Sequence, residues 1–137
     1  MPYFSKRSND KLETCHEDIV RVMRTVIQWS DFSIICGIRL EEEQNEAYAK
    51  GYSKVQFPDS KHNAAPPKKS KAVDVAPYPI DWNDKRRFDI LAGRILMAAE
   101  LMDIKLRWGG DWDSDGDVKD QTFNDVGHYE ISIDKSI

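Results

Sequence analysis

Two kinds of hydrophobic pattern, one of helical period and one of strand period, alternate along this 137-residue chain and limit it to a mixed fold. The helix-like stretches, which carry an apolar stripe or a run of strong helix formers, are 14–27, 41–50 and 83–102. The strand-like stretches are 32–36, 72–76, 104–108 and 129–133. Their order predicts an α+β fold, in which a small antiparallel sheet packs against three main helices. No repeat or linker divides the chain, so we expect a single domain over 1–137.

The start of the first long helix is predicted from a capping signature. Thr14 and Glu17 have the spacing of a capping box, so this helix should begin at Thr14. A shorter helical turn around 8–13 should precede it. Gly51 follows the second helix and suits the left-handed position that ends such a helix.

Charge and hydropathy exclude several classes of partner. The chain has 20 Lys and Arg against 24 Asp and Glu, a net charge of −4, and it has no basic arm, so we expect no nucleic-acid partner. No apolar run approaches the roughly 20 residues of a membrane span. The first residues also lack the apolar core of a signal peptide. We therefore expect a protein that is not inserted in a membrane or exported by the usual route. We also expect it to be a monomer.

Any histidine-based site has few candidate residues, because the chain has only three histidines. His16 falls in the first turn of a predicted helix and is given no role. His62 lies in a long loop and His128 opens the last predicted strand, while Asp74 stands in an otherwise apolar strand, where an unpaired carboxylate is costly. His62, Asp74 and His128 together make a set of three protein ligands, with which a catalytic zinc ion keeps a fourth place for water. The alternative is that both histidines are ordinary surface residues.

A second carboxylate lies close to this set along the chain. Asp125 precedes His128 by three residues, near enough in a turn to approach a water molecule without binding the metal. A carboxylate there can accept a proton from the water and later deliver it to a leaving amine.

These residues bring the chain close to a known family. The sequence shows Ser60-Lys61-His62, then Ser70-Lys71-Ala72-Val73-Asp74, and later Asp125-Val126-Gly127-His128. The pattern resembles SxHxxGxAxD followed by carboxylate-x-x-His in small zinc peptidases of phages and bacteria. That group comprises D-Ala-D-Ala carboxypeptidases and L-alanyl-D-glutamate endopeptidases, and the likeness is closest to single-domain phage endolysins. Eleven residues separate His62 from Asp74, five more than in the pattern, and Ser70 replaces its glycine.

The resemblance implies a role for each matching residue. It implies that His62, Asp74 and His128 bind zinc and that Asp125 is the general base and acid. Arg39 matches an arginine that polarises the scissile carbonyl, although a Gly-x-Arg triplet also fits an ordinary solvated arginine.

Two further residues are assigned supporting roles, and the resemblance also implies a substrate. Ser60 and Glu130 are expected to orient the ligands rather than to react. The implied substrate is the peptidoglycan stem peptide, cut at L-Ala-D-Glu. The enzyme would stay in the host cytoplasm until lysis and then act on the wall. The alternatives are a D-Ala-D-Ala carboxypeptidase with the same site, and a non-catalytic wall-binding or calcium-binding module.

An acidic segment near the C-terminus predicts a candidate calcium site. Asp111, Asp113 and Asp115 form the DxDxDG opening of a calcium-binding loop, but position 12 is Thr122 rather than a bidentate acid. The alternative is a solvated acidic loop. Trp108 and Trp112 flank two glycines beside this loop and are expected to wall the substrate groove.

Overall fold

A computed structural model describes residues 2–111 and 125–132 of the chain. The described helices are α1 Lys6–Leu12, α2 Glu17–Val26, α3 Glu41–Ala49 and α4 Lys85–Leu101. The described strands are β1 Phe32–Cys36, β2 Ala72–Pro77, β3 Leu106–Gly109 and β4 Asp125–Ile131. The α+β prediction is confirmed, and the short turn expected before the first long helix is a full helix, α1.

The sheet places two segments that are distant in sequence side by side. Its strand order is β1-β2-β4-β3, and every pairing is antiparallel. In the two central strands Asp74 lies opposite His128, and on the other side of β2 the partner of Asp74 is Cys36. These three side chains therefore form a row across the sheet.

The hydrophobic core lies between the sheet and the two longest helices. Fully buried side chains include Ile19, Met23, Ile95, Val73 and Tyr129. Burying one aliphatic side chain of this size stabilises a fold by about 1.5–3 kcal/mol. None of the described helices is long and apolar enough to cross a membrane.

The predicted start of α2 is wrong by three residues. The helix begins at Glu17, and His16 is its N-cap, with Nδ1 accepting from the Asp18 amide at 3.0 Å. The reason is a tertiary contact: the His16 amide donates to the Ser70 carbonyl, and the Ser70 amide donates to the Thr14 carbonyl. This contact forms a bridge between Cys15 and Ser70, and Thr14 uses its hydroxyl on the Lys11 carbonyl instead of capping a helix.

The last strand begins four residues before its predicted start, so His128 lies inside the strand rather than at its opening. Gly127 made 125–128 look like a turn, yet the strand needs this glycine, because an added Cβ would lie 2.5 Å from the Val75 carbonyl oxygen. Gly109 on β3 is required in the same way, since its Cβ would lie 2.2 Å from the carbonyl oxygen of Asp125. Both glycines let the start of β4 pack closely against its neighbours.

Candidate active site

The three predicted metal ligands converge on one oxygen atom. His62 Nε2 lies 3.2 Å from Asp74 Oδ1, and His128 Nδ1 lies 3.1 Å from the same oxygen. The two imidazole rings meet edge to face, with their centroids 5.1 Å apart. Both histidines are buried, whereas the Asp74 side chain stays 19% exposed and so opens to the surface.

A network of backbone contacts fixes the orientation of His62. Its Nδ1 donates to the Gly37 carbonyl at 2.7 Å, which leaves Nε2 to face Asp74. The His62 amide donates to the Ser60 hydroxyl at 3.1 Å, and the His62 carbonyl accepts from the Arg39 amide. Ser60 thus holds the turn that presents the histidine.

A buried carboxylate fixes the orientation of His128. Its Nε2 donates to Glu130 Oε1 at 2.8 Å, so that Nδ1 faces Asp74. Glu130 is itself held by Arg107, whose Nη2 donates to Oε2 at 2.7 Å. The two histidines therefore present opposite ring nitrogens to Asp74.

The electrostatics of this cluster favour a positive charge at its centre. Burial raises the pKa of Asp74, but the neighbouring His62 and His128 outweigh it and bring the pKa well below its usual range. Burial lowers the pKa of His62, yet the Asp74 carboxylate outweighs burial and raises it to about 10. The Asp74 carboxylate therefore favours positive charge beside the ring nitrogens that face it, which a proton or a metal cation can supply.

Asp125 lies beside this cluster as predicted from its spacing. Its carboxylate and the ligand atoms of Asp74 and His128 all lie within 4.8 Å of one another. Burial and the nearby charge of Asp74 raise the pKa of Asp125. It is thus a stronger proton acceptor than an exposed aspartate.

Arg39 contacts the opposite oxygen of Asp74, with Nη2 3.2 Å from Oδ2. Its Nη1 donates to Gln44 Oε1 at 2.9 Å, and Gln44 is fully buried. The side-chain amide of Gln44 in turn donates to the Val55 carbonyl. Gln44 therefore holds the guanidinium in place. Nothing in the sequence indicated this role, because Gln44 follows a run of acidic helix formers.

Cys36 is a second residue that the sequence reasoning did not place at the site. Its sulfur and the ligand atoms of His62 and Asp74 lie within 4.8 Å of one another. The only signal for this neighbour is strand register, since Cys36 pairs with Asp74 across the sheet.

A groove of about 960 Å³ opens over these side chains. Its lining includes all the residues predicted to bind the metal, transfer the proton, polarise the carbonyl or orient the ligands, which are Arg39, Ser60, His62, Asp74, Asp125, His128 and Glu130. Lys61, Trp82 and Arg107 also line the groove. Trp108, expected in the groove wall, is instead buried in the core, and its indole donates to the Val126 carbonyl at 2.9 Å. Trp82 stands in the wall and stacks on Phe88.

The candidate calcium site falls largely beyond the part of the chain that the structure describes. Asp113, Asp115 and Trp112 lie outside the described residues, while Asp111 is buried and its amide donates to the Trp108 carbonyl. Calcium binding therefore stays a prediction from the sequence.

The chemistry of the three converging ligands fits a zinc ion. Two imidazole nitrogens and a carboxylate oxygen are donors that zinc accepts, and three protein ligands are typical of a catalytic rather than a structural site. Each histidine also donates its other ring N–H to an oxygen acceptor, as metal-binding histidines almost always do. Among the described residues, the ligand atoms that lie within 4.8 Å of one another form two groups that share Asp74, namely Cys36, His62 and Asp74, and Asp74, Asp125 and His128.

Comparison with known proteins gives a consistent assignment. A family model for the phage L-alanyl-D-glutamate peptidase matches residues 1–132. The L-alanyl-D-glutamate peptidase of Escherichia phage T5 is 34% identical over an alignment of 137 positions, and the alignment covers 93% of this chain and 96% of the phage T5 protein. The crystal structure of the Serratia marcescens L-Ala D-Glu endopeptidase ChiX matches with a TM-score of 0.73 at 26% identity, over 95% of this chain and 90% of that one. The chain therefore belongs to the phage L-alanyl-D-glutamate peptidase family and is an enzyme of that type.

Proposed function

We propose that the enzyme hydrolyses the amide bond between L-Ala and D-Glu in peptidoglycan stem peptides, with a zinc ion held by His62, Asp74 and His128. The observation that carries this proposal is the convergence of both histidine rings on Asp74 Oδ1 at the base of an open groove. Family membership favours this bond over D-Ala-D-Ala, and it favours an enzyme over a binding module.

The zinc ion would supply Lewis-acid chemistry, since bound zinc lowers the pKa of its water to about 7 and polarises a carbonyl. The protein supplies the orientation of the ligands. Gly37 accepts from one histidine and Glu130 from the other, so each ring is fixed with one nitrogen toward Asp74.

Asp125 would handle the proton. Its carboxylate takes a proton from the attacking water as the oxygen adds to the L-Ala carbonyl carbon. The same proton then passes to the D-Glu nitrogen as the carbon–nitrogen bond breaks, so that the amine leaves neutral. The pKa of Asp125 is raised by burial and by Asp74, which suits a group that accepts and returns a proton.

Arg39 would stabilise the negative charge that develops on the carbonyl oxygen. Its guanidinium lines the groove and is held by Asp74 and Gln44 before substrate arrives. A charge that is positioned in advance pays no reorganisation cost during the reaction.

We further propose that the enzyme acts as a monomer on the cell wall, after lysis gives it access from the host cytoplasm. A monomer suffices because the groove and its charged residues come from one chain.

The cleaved bond can be read directly from digested peptidoglycan. Mass spectrometry should find L-Ala with a new free carboxyl group on the glycan and D-Glu amino termini on the released peptides. Release of free D-Ala would instead indicate a carboxypeptidase. Intact peptidoglycan in the presence of the zinc-loaded protein would contradict the proposed reaction.

Replacing the carboxylate behind His128 should weaken zinc binding. Glu130→Gln removes the charge that holds the Nε2 proton of His128, and changes of this kind typically cost about 10–100-fold in metal affinity. Affinity is measured by competition with a chelator at fixed pH. Glu100→Gln removes the same charge from an exposed position on α4 and should bind zinc like the parent protein. Equal affinities in both variants would show that Glu130 does not tune the site.

A further inference from the structure

One end of the groove carries a cation that the proposed chemistry does not use. Lys61 lines the groove next to His62, and its side chain is 37% exposed. Its ammonium donates to the Ile131 carbonyl at 2.8 Å, which places the charge beside the end of β4. A lysine ammonium has three N–H donors, so this one contact leaves it able to bind another acceptor.

The charge of Lys61 is only partly balanced by its neighbours. The ammonium lies 3.6 Å from Glu130 Oε2, beyond hydrogen-bonding distance. The same oxygen already accepts from both Nε and Nη2 of Arg107, at 3.2 and 2.7 Å. Glu130 thus gives its closest contacts to Arg107, and among the described residues the Lys61 ammonium donates no hydrogen bond to a carboxylate.

The arginine at the other side of the site is differently placed. Arg39 faces Asp74 at 3.2 Å and Gln44 at 2.9 Å, so its guanidinium is held beside the proposed metal ligands, where it would meet the scissile carbonyl. Lys61, in contrast, donates its hydrogen bond to a neutral carbonyl. The Lys61 ammonium can therefore bind a substrate carboxylate without giving up a hydrogen bond to a charged group of the protein.

The substrate class provides such an anion close to the cleaved bond. In peptidoglycan stems, D-Glu continues the chain through its γ-carboxyl group, so its α-carboxylate is free. That carboxylate is attached to the same carbon as the nitrogen that leaves in the reaction. A cation within the groove can therefore recognise it while the scissile bond lies over Asp74.

We propose that Lys61 binds the free α-carboxylate of D-Glu and makes the enzyme selective for D-Glu over D-isoglutamine, in which that group is an amide. This inference rests on the proposed function, because it assumes cleavage on the amino side of D-Glu. Lys61 is then a specificity residue that contacts the substrate, and Glu130 with Ile131 holds its side chain in the groove.

Two stem peptides that differ only at this group provide the test. Both are acetyl-L-Ala-D-Glu peptides γ-linked to L-lysine amide, and one carries the α-carboxylate while the other carries the α-carboxamide. The capped C-terminus removes the second carboxylate that would compete for Lys61. The zinc-loaded parent enzyme should cleave the carboxylate peptide with a kcat/KM at least about 10-fold higher, since a hydrogen bond to a charged group is worth about that much.

Lys61→Met keeps the length of the side chain and removes the charge. This variant should lose about 10–100-fold in kcat/KM on the carboxylate peptide, mainly through KM, and stay within about two-fold of the parent on the carboxamide peptide. Lys61→Arg should recover most of the preference. Lys68→Met is the matched control, because Lys68 is exposed in the neighbouring loop outside the groove, and it should keep the parent's preference.

The ratio between the two peptides decides the proposal, since both are cleaved by the same sample and partial loss of zinc or folding cancels. A parent enzyme without a preference would overturn the proposal, as would a Lys61→Met variant that keeps the full preference. A variant that loses equally on both peptides would overturn it too, by showing a structural role. Failure of the parent enzyme to cleave either peptide would instead count against the proposed function.

Discussion

Alanine in place of His62, Asp74 or His128 is expected to remove the metal ion and the peptidase activity together. All three side chains meet at Asp74 Oδ1 within 3.2 Å, so each substitution deletes one of the three proposed ligands. Zinc held by only two protein ligands should dissociate during dialysis. Activity on peptidoglycan should then fall below detection.

Metal content is measured by elemental mass spectrometry after dialysis, and folding by circular dichroism. His16→Asn is the matched control, because it removes the remaining histidine and keeps a residue that caps helices well. That variant should retain one zinc ion per chain and full activity. Stoichiometric zinc in all three alanine variants would show that the ligands have been assigned wrongly.

The site was predictable from sequence where a single residue contradicted its surroundings. Asp74 stands in an apolar strand, and burying a carboxylate there is costly unless it is paired. That cost marks the residue without any knowledge of the fold. The structure supplies the pairing, because Asp74 has a histidine on each side and Arg39 on its second oxygen.

Residues that act through tertiary contacts were not predictable in the same way. Gln44 lies in a helix whose apolar residues do not gather on one face, and only its burial against Arg39 shows that it holds the guanidinium. Cys36 reaches the site through strand register, which depends on a partner strand about 40 residues away. Nothing local in the sequence records either contact.

Element boundaries shifted for a related reason. The capping signature at Thr14 is genuine in its local spacing, but the bridge between Cys15 and Ser70 keeps Thr14 in a turn, and the helix starts at Glu17. The expectation for Trp108 was wrong, because alternation along β3 turns its side chain into the core. Trp82, which lies between β2 and α4, lines the groove.

Asp125→Asn is expected to keep its zinc and lose most of its rate, which separates proton transfer from metal binding. The asparagine preserves the shape of the side chain beside Gly109, so the start of β4 should stay in place. It has no basic carboxylate, so the attacking water keeps its proton and the leaving nitrogen receives none. General acid–base catalysis is worth about 10²–10⁴-fold, and kcat should fall by that factor.

The comparison that gives this variant its meaning is with Asp103→Asn, an exposed position with φ 58° where asparagine is well tolerated. Asp103→Asn should match the parent in zinc content and in kcat on the carboxylate stem peptide. Asp125→Asn should match it in zinc content alone. Loss of zinc from Asp125→Asn would identify Asp125 as a ligand, since its carboxylate lies within 4.8 Å of the ligand atoms of Asp74 and His128. Full activity with full zinc would instead remove Asp125 from the reaction, and the proton would have to move through another group that lines the groove.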